Sequence, residues 1–139
     1  MRLLSFCLIG LAFAGAAQAQ DAPQPRLAVE LNAADDGDDA CRLSFLVENS
    51  LGADLDEAVF ETVIFDATGA VDRLTLFDMR DLPEGRPCVR QFLIDGIACT
   101  GIGRILINGA QSCSGAGLPE GACTDNLNLS SRTGIELLG

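Results

Sequence analysis

The sequence predicts an all-β fold, an antiparallel immunoglobulin-like β-sandwich of about seven strands stabilised by disulfides. Three observations lead there. Short runs of β-branched, aromatic or alternating apolar residues recur at intervals of about ten to fifteen residues, with turn-forming residues between them. No segment carries the period of a long amphipathic helix. An export-type leader places the later cysteines in an oxidising compartment, where bridges form. A small β-barrel is the alternative architecture.

Taken in order, the leader comes first. Arg2 and the amino terminus supply positive charge, residues 3–14 a short apolar run, and Ala17-Gln18-Ala19 a small-x-small cleavage site. Cleavage between Ala19 and Gln20 removes residues 1–19, with Cys7 inside them. The apolar run is shorter than the roughly 18 to 20 residues of a membrane span, and nothing later approaches that length, so no span is expected in the mature chain. The expected location is the periplasm or the exterior. Residues 20–25 are polar with two prolines, a flexible N-terminus, and residues 26–139 form a single sandwich domain.

Residues 26–32 alternate, with Leu27, Val29 and Leu31 on one face of a first strand. Residues 33–40 hold Asp35, Asp36, Asp38 and Asp39, whose mutual repulsion favours a solvated loop. The alternative is a calcium or other cation site, since calcium takes several carboxylate oxygens, although the spacing does not fit the helix-loop-helix calcium pattern. Residues 41–48 are a second strand with Leu43, Phe45 and Val47 inward.

The organising stretch is residues 57–77. Its first run, containing Phe60, Val63, Ile64 and Phe65, is apolar on both faces and is expected centrally, in a sheet covered on both sides. Asp66-Ala67-Thr68-Gly69 suits a type I turn, and Leu74 and Leu76 share one face of the returning run. Glu61, amid apolar neighbours, is expected to be buried against Arg73, Arg90 or Arg104. A turn at residues 81–85 leads to a fifth run at 88–95 and a sixth at 102–108, ended by Asn108-Gly109. Residues 110–126 lack periodicity and read as a cysteine-containing loop. Residues 133–138 supply the last strand.

The cysteines of the mature chain are Cys41, Cys88, Cys99, Cys113 and Cys123. Strand alternation places Cys41 and Cys99 at one end of the sandwich, and Cys113 and Cys123 share one loop. The pairs expected are therefore Cys41–Cys99 and Cys113–Cys123, with Cys88 as the free thiol and Cys88–Cys113 the main competitor. Cys88 reads as a buried inert thiol, the alternative being a site of mixed disulfide or dimer formation.

Composition narrows function by exclusion. Histidine, tryptophan and tyrosine are absent, which removes the commonest general base and metal ligand and the usual aromatic platforms for sugars or single-stranded nucleic acid. After cleavage, eight arginines face twenty acidic residues, a net charge of −12 with no lysine, which disfavours nucleic acid. Glu57, Glu61, Asp66, Asp72, Asp78 and Asp81 form no recognisable acid–base pair, so a carboxylate-dependent hydrolase ranks behind the other readings. No catalytic residue and no cofactor is expected. The expected role is a non-enzymatic binding or accessory module for an unknown envelope protein, contacting it through the end that carries residues 110–126.

The phrases VIFDATGAVDRLTLFDMRDLPEGRPCVRQF and GRILINGAQSC resemble a group of small exported alphaproteobacterial proteins of unknown function, some labelled twin-arginine pathway signal proteins. The likeness covers roughly residues 41–139 and implies no activity, cofactor or substrate. The single Arg2 departs from the twin-arginine label and points to the general export route. In that group position 88 is usually arginine, which implies Cys88 as the unpaired cysteine here. The apolar strand, Asp, turn Gly and second apolar strand are also similar to FxLYD-type immunoglobulin-like domains.

Overall fold

A computed structural model describes Ala17 and residues 23–139. The rest of the leader, its cleavage point at Ala19 and Gln20, and residues 20–22 lie outside the described residues. Residues 23–25 are exposed and belong to no strand.

Eight strands follow: β1 (Arg26–Gly37), β2 (Ala40–Ser50), β3 (Glu57–Asp66), β4 (Val71–Asp78), β5 (Cys88–Asp95), β6 (Ile102–Ser114), β7 (Leu127–Ser131) and β8 (Glu136–Leu138). A single 3-10 turn at Cys99–Gly101 and a one-turn helix α1 (Ala122–Asp125) complete the described elements. The strands make two four-stranded sheets, ordered β5-β2-β1-β7 and β4-β3-β6-β8. Hairpins β1–β2 and β3–β4 are antiparallel, and each is extended antiparallel by a strand from later in the chain, β5 on β2 and β6 on β3. This interleaving of two hairpins is the immunoglobulin-like feature of the sandwich.

Two details depart from the sequence reading. The strands number eight rather than about seven, and the sheets are mixed, because β7 joins β1 and β8 joins β6 in parallel. β7 alternates only Leu127 and Leu129 with Asn128, Ser130 and Ser131, a pattern too short and polar to signal a strand without its partner. The segment 110–126 is also less of a loop than expected. β6 continues through Asn108-Gly109 to Ser114, because β3 keeps pairing with it across irregularities that leave Asn108 and Gln111 without an opposite residue. Likewise Asp35 and Asp36 belong to β1, and only Asp38 and Asp39 remain as the tip of the β1–β2 hairpin, with Asp39 at φ 51°.

The core lies between the inner faces. Leu27, Val29 and Leu31 of β1 and Leu43, Phe45 and Val47 of β2 meet Phe60 and Ile64 of β3, Phe77 of β4 and Ile105 of β6, all essentially buried. Leu55, Met79 and Leu82 from the connections close one end. There the buried Asn49 donates through Nδ2 to the carbonyls of Ala53 and Leu82, at 2.9 and 2.8 Å, while its Oδ1 accepts from the Leu51 amide at 3.0 Å. One amide side chain thus ties two connections together and satisfies their backbone groups. Arg90 does similar work, donating to the Met79 and Asp81 carbonyls at 2.6 and 2.8 Å.

β3 occupies an interior place in its sheet, between β4 and β6. Its inner face carries Phe60, Thr62 and Ile64, and its outer face Val59, Val63 and Phe65, so both faces are apolar as the sequence indicates. The outer face, however, is covered by no second layer among the described residues. Val59 and Val63 are kept to 8 % exposure by side chains on neighbouring strands of the same face.

Candidate functional site

The cysteines are joined as strand alternation suggests. Cys41 at the start of β2 bonds Cys99 in the 3-10 turn, with Cα atoms 4.9 Å apart, and Cys113 of β6 bonds Cys123 of α1, at 6.0 Å. The first bridge is reinforced by Asp36, whose carboxylate accepts the Cys99 amide at 2.7 Å. The second anchors α1 against β6, so residues 115–121 are held at both ends. Among the described residues, Cys88 is the free cysteine. It opens β5, half-buried against the core, with its thiol directed at the Arg86 carbonyl at 3.6 Å.

The acidic residues are distributed rather than convergent. Asp66 folds back over its own turn: its Oδ1 accepts from the Thr68 hydroxyl at 2.6 Å and from the Thr68 and Ala70 amides at 2.9 and 3.1 Å. The Thr68 hydroxyl foremost holds the Asp66 carboxyl below the usual carboxylate range; desolvation opposes it, and the Ala70, Thr68 and Gly69 amides add to the lowering. Asp72 pairs with its neighbour Arg73 at 2.6 Å. Asp78 caps the Arg80 amide, Asp54 the Glu84 amide, and Glu84 the Gly52 amide. Glu57 accepts from the Ser112 hydroxyl across the β3–β6 pair. These carboxylates hold turns and strand ends. The aspartates at 35, 36, 38 and 39 do not converge either, and no group of three or more His, Cys, Asp or Glu side chains suited to a metal occurs among the described residues.

Glu61 corrects an expectation. It is exposed on the outer face of β3, and none of the three arginines considered for it is its partner. Arg73 holds Asp72, Arg90 holds backbone carbonyls, and Arg104 lies 4.7 Å above the Phe65 ring. The alternation of β3 explains this: residues 60, 62 and 64 point inward, so 61 must point outward.

What sequence reading missed is where the apolar surface lies. Among the described residues, the exposed large hydrophobic side chains are Leu46, Val71, Leu74, Leu76, Val89 and Leu93. None falls in residues 110–126. Val71, Leu74 and Leu76 belong to β4, and Val89 and Leu93 to β5, the outermost strands on one side of the sandwich. On the outer face of the β4-β3-β6-β8 sheet a shallow depression of about 270 Å³ is lined by Glu61, Val63, Leu74 and Leu76 with Thr62, Thr75 and Asn108. A second hollow, about 470 Å³, opens where β7 and β8 part, lined chiefly by Ile107, Leu127, Leu129, Leu137 and Leu138. The signal that could have located the first was present in the two-faced apolar pattern of β3 beside Leu74 and Leu76. No family model matches the chain, and no curated protein or solved structure matches it.

Proposed function

We propose that this is a non-enzymatic, exported β-sandwich that serves as a binding or accessory module for a protein of the cell envelope, in the periplasm or outside the cell. The observation that carries this reading is the outward apolar surface of β3 and β4 on a scaffold stapled by two disulfides. Exposed leucines on a rigid sheet give binding area at little ordering cost. The two bridges, the export-type leader and the lack, among the described residues, of any helix long and apolar enough to cross a membrane all support an exported protein. The scattered, turn-capping carboxylates support the non-enzymatic part.

Two measurements test it. The intact mass of the protein recovered from its native envelope, with and without reduction and thiol labelling, should start at Gln20 and show two bridges and one labelled thiol. Affinity capture from the same compartment should recover a specific stoichiometric partner; recovery of none, or a mixed disulfide at Cys88 in place of a thiol, would sink the reading as stated.

A further inference from the structure

The outer face of the β4-β3-β6-β8 sheet has an order that its exposure values alone do not convey. In the strand register Val63 of β3 stands opposite Leu74 on β4 and Leu106 on β6, and Leu106 stands opposite Leu138 on β8. One aliphatic row therefore crosses all four strands. Its members at β3 and β6 are partly shielded, while Leu74 is 73 % exposed and the adjacent Leu76 49 %.

The charges beside this row are mainly of one sign. Glu61 lies opposite Leu76, and Glu136 opposite Arg104. Asp78, opposite Val59, lies one same-face step beyond Leu76 along β4. Arg104, the cation of this group, is already placed over the Phe65 ring. A surface complementary to this one is apolar at its centre and cationic at its margin.

Resting on the binding-module reading, we infer that the outer face of this sheet docks a polypeptide of the envelope partner that presents aliphatic side chains flanked by lysine or arginine. The charges disfavour a second copy of the chain docked face to face, because two acid-edged faces would repel. They disfavour an anionic lipid surface for the same reason.

The test uses the mature protein and short synthetic peptides alternating leucine with lysine, leucine with glutamate, and serine with lysine. Binding is followed by calorimetry and by amide shifts in NMR. The leucine–lysine peptide should bind and shift the amides of Val63, Leu74 and Leu106, with the other two peptides at least ~10-fold weaker. Leu74→Ser preserves net charge and lies at an exposed position, so it should weaken binding ~10-fold without lowering the melting temperature, and Glu61→Lys should weaken it several-fold. Equal binding of the serine–lysine peptide would reduce the effect to bulk charge and overturn the inference, as would indifference to Leu74→Ser. Sedimentation as a dimer that Leu74→Ser dissolves would show that a second copy covers the face, also overturning it. Capture from the native compartment separates the two levels: a partner held equally by wild-type and Leu74→Ser protein removes this surface but leaves the module, whereas no partner for wild type removes the module.

Discussion

The rings of Phe77 and Phe92 stack with centroids 4.3 Å apart and planes 10° from parallel, joining the outermost strands β4 and β5 of the two sheets. Phe45 completes the cluster at 5.5 and 5.9 Å from them. The stack closes the side of the sandwich on which both outermost strands have one neighbour each, where sheets would otherwise separate most readily. Phe77→Ala should cost about 3–5 kcal/mol, as for other buried phenylalanines. Phe92→Ala should cost less because its ring is half-exposed. A double-mutant cycle read by denaturant melting should give coupling of about 0.5–1.5 kcal/mol; additive losses would deny the stack any role beyond burial.

The two disulfides enclose very different lengths of chain, with separations of 58 and 10 residues. Loop-closure entropy makes removal of the Cys41–Cys99 bridge costlier than removal of Cys113–Cys123 by about 1.5 kcal/mol. Urea unfolding of the paired Cys→Ala variants measures both. The reverse order would mean that the anchoring of α1 matters more than the restriction of the unfolded chain.

Asn49 satisfies three backbone groups from a fully buried position. Asn49→Leu leaves the Ala53 carbonyl and the Leu51 amide without partners, while the Leu82 carbonyl keeps the Leu55 amide at 3.0 Å, and should destabilise by about 1–3 kcal/mol for each orphaned group that water cannot reach. A loss under about 0.5 kcal/mol in chemical unfolding would show that water replaces the side chain.

Glu61→Gln should leave the folding free energy within about 0.5 kcal/mol of wild type, because the carboxylate is exposed and pairs with no arginine. A clear fall in thermal stability would restore the buried ion pair that its apolar neighbours suggest.

Asp66 supplies a pH dependence whose sign is set by its depressed carboxyl. Its contribution is fully present above the carboxyl's unfolded-state pKa and is lost as pH falls through the lower folded-state value. Stability of the wild type should therefore decline toward strong acid, below about pH 4, more than that of Asp66→Asn, whose side chain does not titrate. Matched acid melts of the two proteins check this, and parallel curves would assign the loss to other carboxylates.

Much of the architecture was legible because β-structure writes a local period into the chain. Leu27, Val29 and Leu31 alternate with small or polar neighbours, and Asp66 to Gly69 spells its own turn; the observed Gly69 amide bond to the Asp66 carbonyl, 3.0 Å, is the one that turn requires. Strand alternation brought Cys41 and Cys99 to one end, and a shared segment paired Cys113 with Cys123, while Cys88–Cys113 remained open until the structure decided it. Glu61 was misjudged because a run apolar on both faces does not announce which face a residue in it will take until the register is known.

By itself, then, the sequence determined the strands with clear alternation, the β3–β4 turn and the overall charge, all properties of neighbouring residues or of chain order. Tertiary structure alone decided that Leu127–Ser131 is a strand, that β6 runs through Asn108-Gly109, and that β7 and β8 join their sheets in parallel. It also decided that Val63, Leu74, Leu106 and Leu138 form one outward row. Each of these rests on hydrogen bonds or side-chain contacts between segments distant along the chain, and such pairings have no local period to be read.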